Sequence, residues 1–170
     1  FGSIMTSFYQ DKTKVLVSVD CIIFGFDQNE LKILIGKRQM DPGRGELSLY
    51  GGFIHLDEGI DEAADRVLYE LTGMRNVYMR QVGAFGSVDR DPGERVVSIA
   101  YYALINVKQY DDELREQHGV EWVSIEDNAP RYYDHTLMME KASRNMAEKM
   151  SPGSIGITLT PSIFTLPQLQ

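Results

Sequence analysis

The chain has 170 residues, of which 43% are hydrophobic and 25% are charged, values typical of a single globular domain. No run approaches the roughly 18 apolar residues of a membrane span, and no basic segment precedes an apolar run at the N-terminus, so we expect neither a membrane protein nor a signal peptide. Lys and Arg total 17 against 25 Asp and Glu, and the net charge of −8 predicts overall repulsion from nucleic-acid backbones.

The N-terminal residues and the single cysteine lead to three further expectations. Residues 1–4 are expected to be a cloning remnant, with Met5 as a native start. The single cysteine, Cys21, lies in an apolar stretch and is expected to be a buried small side chain. A lone cysteine cannot form an intrachain disulfide, which fits a reducing compartment and a cytoplasmic protein.

The first third of the chain predicts β-structure, because short runs rich in Val and Ile alternate with turn residues. The predicted elements are a strand at 15–26, a turn at 27–30, a strand at 31–38, a loop at 40–46 and a short strand at 47–54. This last strand contains Gly51-Gly52, which can be read as a tight turn or as a close backbone approach to a ligand, and both readings stay open.

Residues 60–72 are the clearest helix of the sequence. Ala63, Ala64, Val67, Leu68 and Leu71 recur at steps of three and four, the spacing of one helical face. Acidic residues occupy the first turn and a glycine follows the last residue, and both suit the polarity of a helix.

The second half predicts three more strands and a closing helix. The strands lie at 77–88, 96–107 and 120–124, with a charged loop at 89–95, and the polar stretch 110–119 predicts one helical turn. Asp134 could cap a helix that runs to about residue 149. Its expected inward residues are Leu137, Met138, Ala142 and Met146. Residues 151–170 show no period, and the whole predicts an α+β fold, a mixed sheet sandwiched between helices.

A spaced motif begins at Gly52 and runs through the helix predicted at 60–72. Gly52 is followed after five residues by Glu58, and seven more lead to Arg66, with Glu70 and Gly73 further along the helix. This spacing resembles the Nudix box, whose pattern is Gly, five residues, Glu, seven residues, then Arg-Glu-apolar-any-Glu-Glu-any-Gly-apolar. The resemblance implies a Nudix fold, with a mixed sheet between helices in an α-β-α sandwich.

The box of this chain departs from the family at two acidic positions. The Glu that follows the Arg is Val67 here, and the second Glu of the Glu-Glu pair is Leu71. In the family these carboxylates share one helical face and hold Mg²⁺ or Mn²⁺ against a diphosphate. Only Glu70 remains on that face, and Glu58 and Glu70 are expected to pair with Arg66. We therefore predict no catalytic residue, metal site or cofactor; the alternative is a hydrolase that cleaves ADP-ribose or another nucleoside diphosphate derivative with Mg²⁺ or Mn²⁺.

The C-terminal stretch is similar to the Nudix-related transcriptional regulators, which include the NrtR regulators of NAD metabolism and the L-arabinose-responsive AraR. Asp134-His135 and the segment from Phe164 to Gln170 carry this resemblance. It implies a Nudix-like effector domain over residues 14–150 and a C-terminal extension over 151–170 that leads to a winged helix-turn-helix absent from this chain. The AraR-type sugar sensors are the closer match, because their box is eroded in the same way, so the expected effector is L-arabinose, with ADP-ribose as the alternative. The other implied partners are operator DNA, through that absent module, and a second copy in a homodimer.

The effector pocket is predicted where the Nudix cleft should lie. Paired donors and acceptors in such a cleft suit a polyhydroxyl or anionic ligand. The predicted ligand-binding residues are Lys37, Tyr50, Gly51, Gly52, Glu70, Arg90, Arg95 and Glu121. Several other side chains have expected structural roles. His135 should cap or orient the last helix and Trp122 should lie in the core, while Tyr101, Tyr102, Tyr132 and Tyr133 pack in the core or line a sugar pocket.

Overall fold

The computed structural model describes residues 8–38, 41, 43–125, 134–149, 156–159 and 164–168. The strands are β1 Leu16–Asp27, β2 Glu30–Lys37, β3 Leu47–Ser48, β4 Tyr50–Phe53, β5 Arg80–Phe85, β6 Val96–Asn106, β7 Glu121–Ser124, β8 Gly156–Leu159 and β9 Phe164–Gln168. The helices are α1 Ile60–Thr72, α2 Asp112–His118 and α3 His135–Lys149, with a 3₁₀ turn at Val107–Gln109.

Strand β1 is the axis of a mixed sheet. It runs parallel to β6 over nearly its whole length, from Leu16 opposite Val96 to Phe26 opposite Asn106. On its other edge, its first half pairs antiparallel with β4 and its second half with β2. Strands β3 and β7 pair with β2, and β5 pairs with β6. Because β1 is so long, one strand joins the hairpin, the glycine pair of β4 and the second half of the chain.

Two apolar layers cover the sheet, one on each face. Helices α1 and α2 pack on one face with β1 residues such as Val19, Cys21 and Ile23, whereas α3 packs on the other with Ile22 and Phe24. The alternation along β1 follows from the period of two in a strand, and both faces are apolar because helices cover both. The predicted α-β-α sandwich with a mixed sheet is therefore confirmed, as is the burial of Cys21.

The helices and strands that were predicted from a local sequence pattern agree best with the structure. Helix α1 has the predicted bounds, and the three long strands lie at the predicted places. The polar stretch 110–119 forms the seven-residue helix α2 rather than one turn, and the predicted strand 47–54 is split into β3 and β4. The predicted strand 77–88 is shorter, over Arg80–Phe85, and residues 151–170 contain the hairpin of β8 and β9.

Helix α3 buries a different set of side chains from the one predicted. Met138, Ala142 and Met146 are buried as expected, but Leu137 is 59% exposed and Met139 takes its place in the core. Met138, Met139, Ala142 and Met146 follow the steps of three and four that define one face, and Leu137 lies outside it. Among the helices that the structure describes, none is long and apolar enough to cross a bilayer.

Candidate functional site

Helix α1 starts and ends where its flanking residues provide hydrogen bonds. The backbone N–H of Gly59 donates to Glu62 Oε1 at 2.9 Å, which uses an acidic side chain of the first turn. At the other end Gly73 adopts a left-handed φ of 77°, and its N–H donates to Tyr69 O at 2.7 Å. These caps fix the register of the box residues on the helix.

Arg66 is the centre of the box. Its Nε donates to Glu58 Oε2 at 2.9 Å and its Nη2 to Glu58 Oε1 at 2.7 Å. Its Nη1 donates to Glu70 Oε1 at 2.8 Å, and Nη2 also reaches Phe53 O at 2.8 Å. The two predicted ion pairs are therefore confirmed, and the contact with Phe53 O further ties the loop before α1 to the helix.

The two box positions that have lost their carboxylates lie in different surroundings. Val67 is only 2% exposed, and a Cβ built on Gly52 would come within 3.0 Å of Val67 Cγ2. Leu71, one turn later, is 38% exposed. The close approach of β4 to the helix at Gly52 is thus filled by the hydrocarbon of Val67. Gly51 and Gly52 lie within strand β4 rather than in a tight turn, and a close approach to a ligand stays a prediction.

The box residues do not provide the donor set that Mg²⁺ or Mn²⁺ prefers. Such ions take several carboxylate, carbonyl or water oxygens in a near-octahedral arrangement. Here Glu58 and Glu70 both bind one guanidinium, and Val67 and Leu71 have no oxygen to offer. Within the described ranges, no three His, Cys, Asp or Glu side chains come together as a metal site would require.

Replacing Glu58 with Gln should make stability less dependent on pH in acid. Hydrogen bonds from Arg66 lower the pKa of Glu58 to about 2, against an ordinary value of 4.5. A depressed folded-state pKa means that the stabilisation is complete above about pH 4.5 and is lost as the pH falls towards 2. Thermal unfolding of the chain and of Glu58→Gln should therefore differ at neutral pH and converge in acid.

The control for this experiment is Glu94→Gln. Glu94 is exposed and forms no ion pair with a described residue. Its replacement should leave the pH profile close to that of the unchanged chain. A constant difference between the chain and Glu58→Gln at every pH would show that Arg66 does not hold the Glu58 carboxylate in its charged form.

Three of the predicted ligand residues lie on or beside strand β2, close to Gly36 along the sheet. Lys37 follows it in the chain, and a Cβ built on Gly36 would come within 2.8 Å of the Tyr50 hydroxyl. Glu121 lies opposite Ile35 in the register of β7 and β2. Burial, together with nearby Tyr110 and Glu121, raises the pKa of Tyr50, and its buried hydroxyl has no hydrogen-bond partner among the described residues. An unpaired buried hydroxyl costs free energy, so a ligand atom there would be stabilising.

Gly51 borders a buried polar network that the sequence analysis missed. A Cβ at Gly51 would overlap Asp20 Oδ1, and Asp20 accepts a hydrogen bond from the Ser98 hydroxyl. His135 Nε2 lies 3.4 Å from Asp20 Oδ1, and its Nδ1 accepts from the Leu49 N–H at 3.2 Å. Burial alone would raise the pKa of Asp20, but His135 and Ser98 outweigh it and leave that pKa below its ordinary value.

This network explains the role of His135. The predicted orienting function is confirmed, because the ring joins the start of α3 to β1 and to the residue before β4. The Nδ1 atom accepts a backbone N–H, so Nε2 carries the proton and faces Asp20. The signal in the sequence was Asp20 itself, an acid within an otherwise apolar strand, since a buried charge requires partners.

The two arginines of the loop before β6 have different surroundings. The side chain of Arg90 is 4% exposed, and its Nε and Nη2 bind the two oxygens of Asp134 at 2.9 Å each. Asp134 thereby ties α3 to the loop, and its backbone oxygen accepts the Met138 N–H at 3.0 Å, which places Asp134 at the start of the helix. Arg95 Nη1 donates to Gly86 O at 2.8 Å and shapes the loop. Among the described residues, the partners of the two guanidinium groups are Asp134 and backbone oxygens, and neither bonds to Glu70 or Tyr50. The predicted set therefore divides into the residues beside Gly36, the box residues and these loop arginines.

The aromatic residues predicted as core or pocket are mainly core. Tyr101 and Tyr102 are buried, and the Tyr101 hydroxyl donates to Asp61 at the start of α1. Tyr102 also lines the cavity described next. Trp122 is half-buried and packs edge-to-face on Tyr110 at 6.4 Å between ring centroids. Tyr132 and Tyr133 lie outside the described residues.

A cavity lies at the C-terminal end of α1. It has a volume of about 670 Å³ and is enclosed by the turn after α1, the second half of β6, the start of α2 and the end of α3. This volume falls in the range of small-molecule sites, roughly 300–1,000 Å³. Arg75, Arg80 and Lys149 line it, and the sequence analysis named none of them. No motif surrounds these residues, so only the fold brings them together.

Most of the chain resembles one known protein family. A family model described as the NUDIX domain matches residues 14–146. The chain is 34% identical over 164 residues to the "ADPR responsive transcriptional repressor NtrR" of Acinetobacter baylyi, an alignment that covers 94% of this chain and 66% of that protein. It is 38% identical over 85 residues to the "ADP-ribose pyrophosphatase" of Methanocaldococcus jannaschii, covering 50% of this chain and 48% of that one. The chain thus spans less than two thirds of each of these relatives.

A solved structure of a Nudix domain has the same fold as this chain. The NUDIX domain of Shewanella oneidensis NrtR, crystallised with ADP ribose, superposes with a TM-score of 0.69 at 25% identity. The superposition covers 86% of this chain and 98% of that domain. The fold described above is therefore matched by nearly all of a Nudix domain that was crystallised with a nucleoside-diphosphate ligand.

Proposed function

We propose that this chain, which belongs to the Nudix domain family, is the effector-binding domain of a Nudix-related transcriptional regulator and binds ADP-ribose without hydrolysing it. One observation carries the proposal: Arg66 binds both Glu58 and Glu70, while the two neighbouring acidic positions are Val67 and Leu71. The box keeps the scaffold of a hydrolase and has an arginine-bound face where the enzymes hold metal.

The physical case against hydrolysis rests on charge. Mg²⁺ would have to displace a guanidinium that makes four side-chain hydrogen bonds to two carboxylates at 2.7–3.1 Å. Charge-assisted bonds of this kind are shorter and stronger than bonds between neutral groups. After that displacement the ion would gain at most two carboxylates, too few to offset the charge that develops on a diphosphate.

The similar proteins and the charge of the cavity both favour ADP-ribose over L-arabinose as the effector. The similar repressor is named for its response to ADP-ribose, and the matching Nudix domain was crystallised with it. A neutral pentose would gain little from Arg75, Arg80 and Lys149, the cations that line the cavity, whereas a diphosphate could pair with them. L-arabinose, the effector of AraR-type regulators, therefore enters the test as the competing ligand.

The regulatory part of the proposal follows the relatives. The chain covers 66% of the A. baylyi repressor, so DNA contact would come from the part of such a protein that this chain does not contain. In a dimer, an effector that binds one arrangement more tightly shifts the population towards it. DNA binding, a homodimer and a cytoplasmic location belong to this proposal.

Calorimetry with ADP-ribose and L-arabinose tests the proposal directly. We expect ADP-ribose to bind and to stabilise the chain by about 2.7 kcal/mol at a concentration of one hundred times its Kd. L-arabinose at equal concentration should produce neither heat nor a shift in Tm. Binding of arabinose alone would replace ADP-ribose as the effector, and binding of neither would contradict the proposal.

Hydrolysis is the second candidate, and the similarity to an ADP-ribose pyrophosphatase favours it. Incubation with ADP-ribose and Mg²⁺ or Mn²⁺ should release no AMP above the uncatalysed background. Turnover at ordinary enzyme rates of about 1–10³ s⁻¹ that disappears in Glu70→Gln would overturn the proposal in favour of an enzyme.

A further inference from the structure

The 670 Å³ cavity beyond α1 carries an unusual charge for this chain. Arg75, Arg80 and Lys149 line it, and none of the three forms an ion pair with a described residue. The chain as a whole has a net charge of −8. Three unpaired cations that converge on one concave surface of an acidic protein create a local positive potential, which attracts anions.

The one acidic side chain in the lining is already engaged. Asp111 is the N-cap of α2, and its Oδ1 accepts the Leu114 N–H at 3.0 Å. Its position at the cap is therefore explained by the helix and not by the cations. The lining retains an excess of two positive charges, three cations against one carboxylate.

The guanidinium groups are held in a geometry that suits phosphate. Arg75 stacks over the ring of Tyr69 with 4.0 Å from Cζ to the ring centroid, and Arg80 lies 5.4 Å from the ring of Tyr78. Stacking engages the face of a guanidinium and leaves its N–H donors, which lie in the plane, available for two-pronged contact with phosphate oxygens.

The same cavity offers groups that recognise a nucleoside. Tyr78 is exposed at its mouth, and a base can stack on such a ring. Strand β6 continues to Asn106, whereas β5 begins at Arg80 opposite Tyr102. Beyond Tyr102 that edge of β6 carries no strand in the described part of the chain, so backbone groups there can bond a base or ribose.

We propose that this cavity binds the diphosphate of a nucleoside diphosphate between Arg75, Arg80 and Lys149, with the nucleoside against Tyr78 and the open edge of β6. The choice of ADP-ribose as that ligand rests on the proposed function, whereas the diphosphate class rests on the cavity alone. The site lies at the end of α1 that is capped by Gly73. Gly73 is the box residue in its lining, whereas Arg66 and the box carboxylates Glu58 and Glu70 do not line it.

The test is calorimetry of the 170-residue chain with ADP-ribose, ADP and inorganic pyrophosphate. Arg80→Gln should weaken the binding of all three by roughly 10- to 100-fold, the loss expected for one phosphate–guanidinium contact. Higher salt should weaken binding as well. The matched control is Arg144→Gln, which removes the same charge from an exposed position of α3 outside the cavity, and affinity should change by less than about threefold.

Two results separate this inference from the proposed function. The first result is that Arg80→Gln leaves the affinity for ADP-ribose unchanged, while Leu71→Trp, which adds bulk to the exposed face of the box, abolishes ADP-ribose binding. The ligand would then bind at the box, so the cavity site would be wrong and the proposed function would stand. If ADP-ribose gives no heat while ADP and pyrophosphate bind in a manner that depends on Arg80, the proposed effector is wrong and the cavity site stands. Absence of binding by all three ligands would overturn the inference.

Discussion

Replacing Arg90 with methionine should destabilise the fold by about 3–5 kcal/mol, as expected when one partner of a buried ion pair is removed. The Arg90 side chain is 4% exposed, and its carboxylate partner Asp134 is 14% exposed. Methionine fills much of the volume but leaves the Asp134 carboxylate without its two hydrogen bonds of 2.9 Å. Denaturation in urea should show the loss as a lower midpoint with an unchanged slope.

Two further variants identify the cause of that loss. Arg95→Met removes the neighbouring arginine of the same loop, which bonds only to backbone oxygens and is partly exposed, and it should cost about 1 kcal/mol or less. Arg90→Met combined with Asp134→Leu should recover much of the stability, since no buried charge is then left unpaired. Equal losses for Arg90→Met and Arg95→Met would show that burial of the pair does not determine its contribution.

The second large effect is expected at Gly51. An alanine Cβ there would overlap Asp20 Oδ1 and lie 2.9 Å from Val19 O, which is backbone and cannot move aside. Asp20 cannot easily move either, because Ser98 and His135 hold its two oxygens. We expect Gly51→Ala to cost about 3 kcal/mol, from steric overlap and from weakened hydrogen bonds to a buried carboxylate.

The matched control for Gly51→Ala is Gly86→Ala. A Cβ at Gly86 would lie 3.5 Å from Val97 Cγ2, an ordinary van der Waals contact, so the stability should stay within about 0.5 kcal/mol. Thermal unfolding of both variants measures the difference. If Gly51→Ala is as stable as the chain itself, then β4 is not held against Asp20 as described.

The parts of the fold that could be predicted are those that local sequence determines. Helix α1 was predicted with its observed bounds because its apolar face, its acidic first turn and Gly73 all lie within fifteen residues of one another. The pairing of Arg66 with Glu58 and Glu70 was predictable for a similar reason, since helical spacing and the box loop bring them together.

The failures concern contacts between distant parts of the chain. Arg90 was predicted to face a ligand because it stands in a charged loop, but it is buried against Asp134, 44 positions later. Leu137 was expected to point inward, but the face of α3 that meets the sheet includes Met139 instead. The cavity arginines and Lys149 belong to separate elements without a shared motif, so only the folded chain shows their convergence.

The pairing of β1 with β6 has a consequence during synthesis. Leu16 lies opposite Val96, about 80 positions later, so β1 leaves the ribosome roughly 4–16 seconds before its parallel partner is made. During that interval β1 can pair along one edge with β2 and β4, while the edge that later pairs with β6 has no partner and the face that later packs on α3 is uncovered. An unpaired strand edge favours aggregation, so slowing translation before residue 96 should raise aggregation more than slowing it afterwards.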